Sequence, residues 1–158
     1  MTNVVKTSEK ADYLNDRFLL FKIDTSYYGI PLAMALEILT MQSITRLPLV
    51  ADYVKGIINL RGKVIPVLDV RQKLCFPECP YDETTCIIVM DIRGMHVGLI
   101  VDMVSEVITV APDKIIPPPK TFGDKINYIA SVSQLEDRIV LNLDCELFFQ
   151  NDLEIAMA

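Results

Sequence analysis

The sequence predicts a mainly β protein of two packed five-stranded β-barrels, with short helical turns and a short C-terminal helix. Three observations predict it. First, apolar residues make up 51% of the 158 residues, yet they fall in many short runs of strand length bounded by turn residues. Second, the chain repeats itself. A shift of 69 residues places Tyr28-Gly29-Ile30 on Val97-Gly98-Leu99 and Glu37-Ile38-Leu39 on Glu106-Val107-Ile108. Farther on the shift is 75, and Val67-Leu68-Asp69 falls on Asn142-Leu143-Asp144. Third, Asp69 and Asp144 stand at equivalent places, each ahead of a short helical pattern whose free N–H groups an Asp side chain can accept. Five short antiparallel strands hide their edges best by curling, hence the barrels.

Taken in order, residues 1–16 are mostly polar and aperiodic, and read as a flexible tail. The folded unit spans 17–150, with repeats over about 17–76 and 84–150; residues 151–158 read as a C-terminal tail. Residues 17–24 and 27–31 are strands joined at Asp24-Thr25-Ser26, residues 32–36 a helical turn, and 37–41 a strand. After a loop over 43–52, residues 54–69 form a hairpin whose tip is Leu60-Arg61-Gly62-Lys63, a turn signal because Gly62 takes φ > 0 at little cost. A helical turn over 70–74 and a proline-bearing linker over 75–83 close the first repeat. The second gives strands over 85–92, 95–101 and 105–110, an extended proline stretch after Ile115, a hairpin over 126–143 and a helix over 145–149. The order of strands does not say whether each barrel is one contiguous repeat or exchanges strands with the other.

Several function classes find no support. A net charge of −6 argues against nucleic acid or an anionic membrane as the main partner. No apolar run approaches the ~20 residues of a membrane helix, and the N-terminus lacks a basic-then-apolar leader pattern. Reduced thiols are therefore the expectation for the four cysteines. Cys75 and Cys79 are close in sequence, but a zinc site needs two more ligands, and the single histidine is His96 in a strand-like run, so no metal or other cofactor is expected. There is no phosphate-binding glycine loop, and Ser131 and Ser133 lack a nucleophile elbow. Asp69, Asp102 and Glu106 suggest no acid–base pair, since two of the repeat's carboxylates look like caps. No catalytic residue is assigned, and the chain does not read as an enzyme.

What remains is surface. Leu32, Ala35, Leu39, Ile65, Ile116 and Pro118 are apolar near strand ends, suited to core or to contact. Glu37 and Arg61 are charges inside apolar stretches. Either both are solvated, or Arg61 forks onto Glu37 at the rim of an apolar groove, where a fixed pair sets orientation for a partner. The second repeat has Gln134-Leu135-Glu136-Asp137 where the first has Asn59-Leu60-Arg61-Gly62, so the arginine tip is expected to be unique to the first half.

The run from Gly56 to Arg71, with Asn59-Leu60-Arg61-Gly62 followed by Pro66-Val67-Leu68-Asp69, resembles the CheW family of bacterial chemotaxis coupling proteins. Tyr28-Gly29-Ile30, Glu37-Ile38, Val97-Gly98-Leu99-Ile100-Val101-Asp102, Val104-Ser105-Glu106-Val107 and the proline stretch after Ile116 extend the likeness over roughly 17–150. Where such proteins often carry glycine, this chain has Ala130 and Ser131. The resemblance implies the two-barrel fold, no catalysis, and an adaptor that couples methyl-accepting chemoreceptors to the histidine kinase CheA. It implies a receptor tip docking at Arg61, Glu37, Ala35, Leu39, Gly56 and Ile65, kinase contacts at Ile116 and Phe122, and a cytoplasmic place at receptor arrays. The alternative it leaves is a CheW-like regulatory module of a longer kinase or receiver-containing adaptor. A third class, a metal or thiol switch, would use Cys75 and Cys79.

Overall fold

The computed structural model describes residues 16–118, 120 and 128–152. Eleven strands are present among them: β1 (Arg17–Ile23), β2 (Ser26–Pro31), β3 (Ala35–Thr40), β4 (Val54–Leu60), β5 (Lys63–Asp69), β6 (Cys86–Ile92), β7 (Met95–Val101), β8 (Met103–Thr109), β9 (Ile115–Ile116), β10 (Ile129–Gln134) and β11 (Ile139–Leu143). A one-turn helix follows β5 (α1, Val70–Lys73) and another follows β11 (α2, Cys145–Phe148). The helical turn expected after β2 is a 3-10 turn, Leu32–Met34. The N-terminal tail reading for 1–15 and the contact residue Phe122 lie outside the described residues.

The two repeats exchange strands. One sheet has the order β8-β1-β2-β11-β10-β9 and the other β3-β6-β7-β5-β4. Each therefore combines the first hairpin of one repeat with the later strands of the other. The exchange is made by two parallel pairings at equivalent positions. Val67 of β5 lies opposite Gly98 of β7, and Asn142 of β11 lies opposite Gly29 of β2. The glycines are needed there. A Cβ on Gly98 would sit 2.8 Å from Val67 Cγ1, and one on Gly29 would sit 2.5 Å from Asn142 Oδ1. Each parallel crossing is thus packed by a side chain from one repeat filling the space above a glycine of the other.

The expected two-part β architecture holds, with a difference in detail. The sheets have six and five strands, and backbone hydrogen bonds do not close either into a barrel. One main core lies between the sheets, around Phe21, Ile30, Leu68, Ile88, Met90, Leu99, Phe148 and Phe149. Smaller cores lie under the far face of each sheet. The caps form as expected: Asp69 Oδ1 accepts from Gln72 N and Asp144 Oδ1 from Leu147 N, both at 3.1 Å.

The two halves meet tightly at α1 and α2. The Lys73 ammonium donates to Phe148 O and to the Asp152 carboxylate, with the Lys73 and Asp152 side chains 6% and 5% exposed. Tyr53 Oη donates to Asp152 at 2.7 Å. The rings of Tyr53, Tyr128, Phe148 and Phe149 surround the ammonium at 4.6–6.0 Å. Burial and the Asp152 hydrogen bond push the Tyr53 phenol pKa up. Asp152, beyond the repeat as read from sequence, is thus part of the packed interior.

Candidate functional site

The β4–β5 hairpin has a two-residue loop. Leu60 pairs with Lys63, and the central residues Arg61 and Gly62 have φ 52° and 84°. Positive φ at both central positions is the type I′ signature, whose twist matches that of the strands. Asn59 Oδ1 accepts from Gly62 N at 2.9 Å and steadies the loop. The β6–β7 turn repeats the device with Arg93, Gly94 and Asp91. Local chemistry therefore makes the turn, and the arginine is carried on it as a projecting side chain.

Arg61 Nη2 donates to Glu37 on β3. The hydrogen bond and charge of Glu37 push the guanidinium pKa up. The Arg61 side chain is 71% exposed and that of Glu37 31%. Because β3 and β4 are the two ends of the five-stranded sheet, the pair spans a seam that backbone bonds join only farther on, where Thr45 pairs with Ile57 of β4. Around it lies a cleft of about 250 Å³ lined by Leu36, Glu37, Leu60, Arg61, Lys63, Ile65, Val89 and His96. Leu36, which lines the cleft, is 48% exposed, a large apolar side chain left in solvent beside the ion pair.

Of the residues singled out from sequence, Glu37, Arg61 and Ile65 come together at this cleft. Ile65 is its floor and is buried with Ile58, Val67, Ile87, Val89 and Ile100. Leu39 lies farther along β3 and packs against that same cluster, while Ala35 packs against the core between the sheets. Gly56 is buried away from the cleft with φ 141°, and a Cβ there would lie 2.0 Å from Thr45 O. Ile116, on the short strand β9 at the end of the other sheet, is exposed and does not line this cleft.

Sequence reading missed Lys63 and His96, whose side chains meet in the cleft with Nζ 2.8 Å from Nδ1. It also missed that the ion pair has a counterpart. Arg138 donates to Glu106, the repeat equivalent of Glu37, and its guanidinium lies 4.7 Å from the Tyr27 ring. The arginine–glutamate pairing is not confined to the first half, although the arginine at the tip itself has no counterpart in Gln134-Leu135-Glu136-Asp137. The second-half arginine sits at the first residue after the turn, where the first half has Lys63, so aligning the turn residues alone does not find it. Glu106 on β8 and Arg138 bridge toward the open end of the six-stranded sheet as Glu37 and Arg61 do in the other.

Arg71, on α1, donates to Asp102 at 2.7 Å and to Asp24 at 3.2 Å, tying two turns together. Its Nε donates to Pro77 O at 2.7 Å and anchors the linker. Cys75 and Cys79 on that linker are exposed free thiols, and among the described residues no group of three or more metal-ligating side chains converges.

Comparison with known proteins accords with this architecture. The family model for a CheW-like domain matches residues 17–153. The chain belongs to the CheW family. A chemotaxis protein CheW of Bacillus subtilis is 38% identical over 147 residues, 91% of this chain and 88% of that protein. The chemotaxis protein CheW of Klebsiella aerogenes is 30% identical over 141 residues, 88% of this chain and 84% of that protein. The crystal structure of the scaffolding protein TtCheW from Thermoanaerobacter tengcongensis superposes with a TM-score of 0.80 at 29% identity, covering 86% of this chain and 93% of that one. Like other CheW proteins, this chain is a chemotaxis coupling adaptor, in a family of non-catalytic scaffolds whose partners are chemotaxis signalling proteins. No helix among the described residues is long and apolar enough to cross a membrane.

Proposed function

We infer that this CheW protein couples the cytoplasmic hairpin tip of a methyl-accepting chemoreceptor to the regulatory domain of CheA, at receptor arrays on the cytoplasmic face of the membrane. The observation that carries this is the seam at Glu37 and Arg61, a fixed ion pair in a cleft walled by exposed Leu36 and by Leu60, Ile65 and Val89. An amphipathic helix laid on it covers the apolar side chains, while the pair sets its register. Ala35, Leu39, Gly56 and Ile65 support that face from behind, Gly56 by letting the 43–52 loop approach β4 closely. Kinase contacts are assigned to exposed Ile116, on the other sheet, and to Phe122, which follows it in sequence. The mechanism is simultaneous occupancy of two surfaces, so that a shift in how the receptor helix packs changes the kinase through a coupling between binding sites.

The test is Arg61→Glu, which sets a second carboxylate against Glu37. Receptor-fragment binding falls at least about tenfold, kinase binding changes much less, and unfolding stays cooperative because the side chain is exposed. Equal loss of both interactions in a folded variant overturns the assignment. Reconstitution with CheA and receptor must also show autophosphorylation that depends on this protein.

A further inference from the structure

Charges in the seam cleft do not balance. Arg61 is matched by Glu37, but Lys63, on the first residue of β5, forms no ion pair among the described residues and meets only His96. An ammonium has donors and no acceptor, so His96 Nδ1, 2.8 Å away, must be the acceptor. That fixes the neutral ring's proton on Nε2. Two donor groups thus line one end of the cleft: the remaining N–H bonds of Lys63 and the Nε2–H of His96. Asp91 lies opposite His96 in the β6–β7 register, but its Oδ1 accepts from Gly94 N in the turn. Leu36, Leu60, Ile65 and Val89 complete the walls, while Lys63 itself is exposed, so a carboxylate reaches it from solvent and the bond is sensitive to salt.

Resting on the receptor-docking reading of this cleft, we propose that Lys63 and His96 are its specificity-determining pair and receive a carboxylate from the docking helix. Charge complementarity commits the occupant: a helix with apolar side chains for Leu36 and Leu60, and an Asp or Glu positioned to reach Lys63. His96 is a positioning residue, since its ring nitrogen holds the otherwise flexible lysine stem in the cleft. The attraction is local to this end of the seam, since the chain as a whole carries a net charge of −6.

The experiment measures binding of the full chain to a receptor cytoplasmic-tip fragment across a salt series. Lys63→Met weakens binding about tenfold and flattens its salt dependence, whereas Lys63→Arg keeps most of the affinity. His96→Phe, which keeps an aromatic ring but removes the acceptor, weakens it less, by a fewfold. Lys63→Glu is more severe, and changing each acidic residue of the fragment in turn to Lys restores binding to Lys63→Glu at one position. If Lys63→Met and Lys63→Glu bind like the parent while Arg61→Glu does not, the carboxylate site is refuted and receptor docking at the seam stands. If Arg61→Glu also binds like the parent, both fall. Loss on Lys63→Glu with no restoring change in the fragment, and no effect of Lys63→Met, reduces Lys63 to a bystander and likewise overturns the proposal.

Discussion

Removing the carboxylate of Asp152 is the sharpest test of how the two halves are joined. Its partners are buried with it: the Lys73 ammonium and the Tyr53 hydroxyl, the latter at 2.7 Å. In Asp152→Ala the ammonium stays inside a shell of four aromatic rings, with Phe148 O as its remaining strong acceptor. Leaving a buried charge without its partner costs about 3–5 kcal/mol. Cation–π attraction of about 2 kcal/mol is already present in the parent and does not offset the loss. Lys73→Met strands the carboxylate with one hydroxyl donor and falls in the same range. The double change Lys73→Met with Asp152→Asn removes both charges and fills the shell with a flexible apolar chain. It is expected within about 1 kcal/mol of the parent, because an ion pair's desolvation roughly cancels its attraction. Urea unfolding followed by circular dichroism gives the three values by linear extrapolation. The reasoning fails if Asp152→Ala costs under about 1 kcal/mol, or if the double variant costs the sum of the singles.

Two glycines on one hairpin separate steric from torsional cost. Gly56→Ala drives a Cβ into Thr45 O, and the backbone pairing of Thr45 with Ile57 must yield, so about 3 kcal/mol or more is lost. Gly62→Ala meets nothing within 4 Å, and its cost is the left-handed φ of 84° alone, about 1–2 kcal/mol, read in the same denaturation assay. Thiol titration of the folded protein finds Cys75 and Cys79 reacting at once and Cys145 only on unfolding. Burial pushes the Cys145 pKa from 9.0 to about 12, so the folded chain holds that proton when the unfolded chain has released it. Its contribution to stability is full below about pH 9 and is lost as pH rises toward 12; Cys145→Ala makes the alkaline slope shallower between those values in a pH series of unfolding midpoints, leaving the part due to the raised Tyr53 phenol.

Much of the site was legible locally. The Asn59, Arg61 and Gly62 pattern is a turn chemistry readable within four residues, and the tip forms as expected. Asp69 and Asp144 cap as expected, because a cap needs only a side chain and the next turn of backbone. Lys63 and His96 were not legible as a pair. They are 33 residues apart, one read as a hairpin flank and the other as a lone strand histidine, until β5 and β7 lie side by side. Arg138 was missed for a related reason. It takes over the Glu-pairing role from one position past the turn, and side-chain reach, not alignment, makes the equivalence.

By itself the amino-acid order determined the strands, the turns, the caps and the fact of a repeat, since each is written in neighbouring residues or in periodicity. Only the tertiary structure decided that the halves interlock. Exchanged and unexchanged arrangements present nearly the same side chains to nearly the same neighbours, precisely because the repeats are alike. The choice rests on contacts between distant segments: Val67 over Gly98, Asn142 over Gly29, and Lys73 of the first half sealed against Phe148 and Asp152 of the second.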